Sequence, residues 1–153
     1  MALFRSRKRH LKIEEIDIAD QWDVFHGKYE GNPLIARFRT SAKELIGHPS
    51  YNHQVGIAVP LNDPDQNGFP SPEESEQLND IENQVSRMLE PGNASLLVGV
   101  ISTSGMREFI LYTANPNEVQ RKFEELKKET LTHTLQLMIQ LDKRWNVYKS
   151  FVR

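Results

Sequence analysis

Val55-Gly56-Ile57-Ala58-Val59, Ser71-Pro72-Glu73-Glu74 and Leu96-Leu97-Val98-Gly99-Val100-Ile101 follow one another along the middle of the chain, and their reading decides the fold. The first belongs to a nearly continuous apolar run from His53 to Leu61, the pattern of a strand buried on both faces. Pro60 and Pro64 donate no ladder hydrogen bond, so this strand stops near Leu61 and a loop runs to Pro70. Helical spacing then takes over, with Leu78, Ile81, Val85, Met88 and Leu89 on one stripe. Ser71 is placed to cap this helix and Pro72 suits its first position. Glu74, three residues after Ser71, is expected to close a capping box. Pro91-Gly92 breaks the helix, and Ser95 to Ser102 reads as a second strand.

Outward from that stretch the same grammar continues. Glu108 to Thr113 reads as a strand, joined to the preceding one by a tight turn at Ser104-Gly105. Asn115-Pro116-Asn117-Glu118 repeats the cap, proline and acid pattern, and Val119, Phe123 and Leu126 make a second amphipathic helix ending near Thr130. Thr134 to Leu141 alternates, with Leu135, Leu137, Ile139 and Leu141 on one face. The order from Val55 is β-α-β-β-α-β, which predicts an α+β, ferredoxin-like sandwich with two helices on one face of an antiparallel sheet. Upstream, Trp22 to Tyr29 and Leu34 to Arg39, separated by Glu30-Gly31-Asn32-Pro33, predict an added N-terminal β-hairpin. Downstream, Trp145, Tyr148 and Phe151 predict a short C-terminal aromatic segment, helical or a further strand. The division expected is a basic tail and lead-in over residues 1–20 and one domain over 21–153.

Composition bounds the function. A chain of 153 residues folds without staples. With no cysteine it has no disulfide framework, no thiolate nucleophile and no zinc ribbon. No apolar run approaches a bilayer crossing. The net charge of -2 argues against nucleic-acid binding through the overall field. Arg5, Arg7, Lys8, Arg9 and Lys12 make the head basic, a solvated tail or an arm able to contact phosphate. The stretch after Lys12 lacks the apolar core of a secretory signal, so the expectation is cytoplasmic.

Asp63-Pro64-Asp65-Gln66-Asn67-Gly68-Phe69 with Glu74 fits the calcium-loop pattern. Asp63, Asp65 and Asn67 would offer side-chain oxygens, Phe69 its carbonyl and Glu74 both carboxylate oxygens, with Gly68 at the bend. Against it stand the entry from a strand, Pro70 at the eighth place, and the alternative duty of Glu74 as a cap. His26, His48 and His53 give a weaker metal pattern with no defined third ligand. The hydrolase and phosphate-loop motifs are absent, leaving an enzyme only through residues dispersed in sequence. RNA binding through the sheet is disfavoured, because the first core strand has no aromatic and Phe109 and Tyr112 point to opposite faces. Trp22, Trp145 and Tyr148 are read as an interaction patch or as core.

Trp22-Asp23-Val24-Phe25, Gly31-Asn32-Pro33-Leu34-Ile35-Ala36-Arg37, Gly56-Ile57-Ala58-Val59-Pro60-Leu61, Asn67-Gly68-Phe69-Pro70, Glu108-Phe109-Ile110-Leu111-Tyr112-Thr113 and Trp145-Asn146-Val147-Tyr148, in this order, resemble the bacterial family of domain of unknown function 695. The likeness runs from Trp22 to the C-terminus and carries no catalytic residues. More distantly the build is similar to the RraB-type inhibitors of ribonuclease E, which implies regulation by protein contact. The expected function is a non-catalytic interaction or regulatory module whose sheet face or edge meets a protein partner or a second copy. Calcium binding and dispersed acid-base catalysis are the alternatives.

Overall fold

Six strands form one antiparallel sheet in the order β1-β2-β4-β5-β3-β6: β1 Trp22–Tyr29, β2 Asn32–Arg39, β3 His53–Pro60, β4 Ser95–Thr103, β5 Met106–Thr113 and β6 Gln136–Leu141. The computed structural model describes residues 10–153, so Arg5, Arg7, Lys8 and Arg9 of the basic head lie outside it. β4-β5-β3-β6 is the order of the ferredoxin-like core, and the β1–β2 hairpin extends it past β4. Helices α1 (Pro72–Leu89) and α2 (Pro116–Glu129) are the two crossovers.

Both helices bury one stripe against the same face. Leu78, Ile81, Val85 and Leu89 of α1 and Val119, Phe123 and Leu126 of α2 pack on Val55, Ile57, Val59, Val100, Phe109 and Leu111. Each such side chain gains roughly 1.5–3 kcal/mol of transfer free energy. The caps are as expected: Ser71 Oγ accepts from the Glu74 N–H and Asn115 Oδ1 from the Glu118 N–H. Lys122 of α2 donates to the Met88 carbonyl at 2.9 Å, setting a cation at the C-terminal end of α1, where the dipole favours it. The two hairpin turns, Glu30-Gly31 and Ser104-Gly105, have positive φ at both residues, the geometry whose twist matches that of the strands. Asn32 and Pro33, expected in the first turn, already belong to β2.

The opposite face is not left bare. The segment after β6, with α3 (Asn146–Lys149), lies across it together with Ile13–Ile18 and the turn Thr40–Leu45, enclosing Phe38, Tyr51, Tyr112, Trp145 and Tyr148. Asp142 starts this segment, accepting from Asn146 N, Val147 N and the Tyr112 hydroxyl. Phe38 needs Gly99 beneath it, since a Cβ there would come within 2.4 Å of its ring; β4 is irregular in register at this point.

Candidate functional site

The loop that matches the calcium pattern is bonded to itself and to its neighbours. Asp65 Oδ1 accepts from Asn67 N at 2.8 Å and Phe69 N at 3.0 Å, and the Phe69 carbonyl accepts from Asp65 N. Gly68, at φ +85°, accepts from Gly105 N, which fastens the loop to the β4–β5 turn. Glu74 is buried; its Oε2 accepts from Asn62 N at 2.6 Å and meets His133 Nε2 at 2.6 Å, and Oε1 accepts from Asp63 N at 3.2 Å. Burial alone would raise this carboxyl, but the hydrogen bonds from Asn62, His133 and Asp63 outweigh it and hold its pKa below the usual value. Glu74 therefore does not close the capping box: its two oxygens accept from Asn62 N and Asp63 N and meet His133. Among the described residues no group of three or more His, Asp or Glu gathers as a metal site.

Of the two readings left open for Trp145 and Tyr148, interaction patch or core, the structure has the core. Both are fully buried, Trp145 stacked on Tyr112 at 4.0 Å, so neither is part of an accessible patch. His48 is buried against the Leu11 carbonyl, while His26 lies on the edge strand β1 and His53 on β3, with β2, β4 and β5 between them. Trp22 is half-buried on the helix side, its indole N–H on Asp20 and the Arg37 guanidinium 5.1 Å from its ring centre. It lines a groove of about 540 Å³ with Arg37, Arg39, Glu82 and Glu90, where Arg37 pairs with Glu82.

The open part of the sheet lies beside the C-terminal segment. A depression of about 600 Å³ is walled by Tyr29, Leu34, Ile101, Met106 and Phe151, and Glu108 faces into it. Strand register places Glu108 opposite Ile101 and Ala58, and Gly56 opposite Ile110 and Met138, all on this face. A Cβ at Gly56 would sit 3.3 Å from Glu108 Oε1, 3.4 Å from Met138 Cε and 3.5 Å from Gln54 Nε2, so these side chains close over the glycine. Gln54 is buried and its Oε1 accepts from Gln140 Nε2 at 2.8 Å, which turns its amide nitrogen to the other side. That nitrogen has no hydrogen-bond partner among the described residues. Glu108 has no cationic partner among them either, and burial raises its pKa. Sequence reasoning passed over this site because its members come from the hairpin, β4, β5 and the C-terminal segment.

No helix among the described residues is long and apolar enough to cross a membrane. No curated protein matches the chain, and the more distant likeness to the RraB-type inhibitors finds no support in a match. A family model, described as a family of unknown function, DUF695, matches residues 20–152, the hairpin, the ferredoxin-like core and the C-terminal segment together, and the chain belongs to that family.

Proposed function

We propose that the chain is a non-catalytic binding module whose open sheet face receives a segment of a partner protein carrying a basic side chain flanked by apolar ones. The observation that carries this reading is the half-buried Glu108 carboxylate, without a cation among the described residues, at the floor of an apolar depression. An ionised carboxylate so placed loses solvation and gains nothing in return. Its raised pKa means that this group contributes most to stability when protonated, and that contribution is lost as pH rises through the folded value, so at neutral pH the residue costs stability. A cost of this kind is common where a residue serves binding. The apolar walls supply contact area and Glu108 supplies the charge that selects the partner.

Selection of a random peptide library on the immobilised full chain tests it. Enriched peptides are expected to carry Lys or Arg beside large apolar residues, and Glu108→Lys is expected to weaken their binding by at least about tenfold, the scale of a reversed charge at a part-buried site. Enrichment of acidic peptides, no enrichment, or a dimer in solution that occupies this face with a second copy would overturn the reading.

A further inference from the structure

On the other side of the sheet, the geometry points to a second, independent site: a pocket between α1 and the hairpin, built on Arg107 and Ser102, that binds a small aliphatic carboxylate. Arg107 and Glu108 are neighbours on β5, and alternation sends them to opposite faces, so the two opposite charges cannot neutralise each other. Arg107 falls on the helix side, in register with Ser102 of β4 and Val59 of β3. The next row on that face holds Val24, Arg37, Val100 and Phe109, also in register. Ile35 stands opposite Ser102. The resulting pocket, about 160 Å³, is lined by Val24, Ile35, Arg37, Val100, Ser102 and Arg107, with Asn79 of α1 at its wall.

The two arginines differ in what they already hold. Arg37 pairs with Glu82 and lies over Trp22. Arg107 donates its Nε–H to Ser102 Oγ at 3.1 Å and pairs with no carboxylate among the described residues. A guanidinium has five N–H donors, so Arg107 keeps most of its fork for a ligand, and Ser102, accepting from Nε, keeps its own hydroxyl proton to donate. Burial weighs most against the Arg107 charge and neighbouring Arg37 adds to it, partly offset by Glu82 and Glu74. An anion between Ser102 and Arg107 relieves that cost, and the planar fork matches a carboxylate.

The rest of the pocket narrows the ligand. Val24 and Ile35 present exposed apolar surface at its mouth and Val100 lines it, which suits an aliphatic tail. One uncompensated cation and the nearby Glu82 favour a monoanion over a phosphate dianion. The adjoining groove beyond Arg37 sets three acids, Asp20, Glu82 and Glu90, against Arg39 and the already paired Arg37, so its balance of charge disfavours an anion and confines it to the Arg107 end.

NMR titration of the full chain with hexanoate, following the Arg107 Nε–H and the amides of Val100 and Ser102, tests the site. Saturable shifts are expected with hexanoate, with no matching response to hexylammonium or inorganic phosphate. Val24→Glu changes an exposed side chain and sets a like charge at the mouth, so it is expected to weaken binding by at least about tenfold. Ser102→Ala and Arg107→Met are expected to weaken it further, and Val24→Glu carries the test if either fails to fold. Absence of saturable shifts at Arg107, an equal response to phosphate, or hexanoate binding unchanged in Val24→Glu would overturn the proposal.

Discussion

Trp145→Ala is expected to lower the unfolding free energy by about 3–5 kcal/mol, read as a fall in the urea midpoint at unchanged slope. The side chain is fully buried, stacked on Tyr112 at 4.0 Å and met edge-on by Tyr148 at 5.4 Å. Its indole N–H donates to the Tyr51 carbonyl at 3.0 Å. The backbone holds it at φ 58°, a conformation a bulky residue adopts only when its surroundings impose it. Truncation would empty the centre of the second core and leave the Tyr51 carbonyl without its donor. A loss under about 1 kcal/mol would mean that the C-terminal segment is not packed as described.

Glu74→Ala is expected to cost a similar amount, about 3–5 kcal/mol, because a buried carboxylate that serves three donors is lost, at roughly 1–3 kcal/mol for each one left unsatisfied. The substitution strips His133 Nε2 and the N–H groups of Asn62 and Asp63 of their shared acceptor. It thereby frees the start of α1 from the loop after β3 and from the approach to β6. The pH dependence has a definite sign. Glu74 has a folded pKa below its ordinary value, so the stability it contributes is fully present above the unfolded pKa and is lost as pH falls through the folded one. Thermal unfolding scanned across the acid range should therefore show a steep acid limb in the native protein and a shallower one in Glu74→Ala. Equal slopes would contradict the assignment.

Glu74 also shows where sequence reasoning stops. Its cap serine, its helix and the turn glycine before it were all legible, because each depends on residues within a few positions. Its partner His133 lies across the fold, and no local pattern pairs the two; the oxygens at calcium spacing described the loop's own hydrogen bonds as well as they described a cage. The helical stripes and the Ser104-Gly105 turn predicted the ferredoxin-like order, and the structure has it. Trp145 and Tyr148 were visible as aromatics, but whether they face solvent depends on the path of the chain after β6, which Asp142 and its three hydrogen bonds determine. The depression at Glu108 and the pocket at Arg107 depend on strand register, a tertiary property.

Binding at the open sheet face is tested most directly by titrating the Glu108 carboxyl with carbon-detected NMR, in the free chain and with a selected basic-apolar peptide bound. We expect a free-state pKa above the ordinary glutamate value, because burial penalises its charge, and a downward shift when the peptide's cation arrives. A Glu108 that titrates like a solvent-exposed glutamate, and that the peptide leaves unmoved, would contradict the role given to this face.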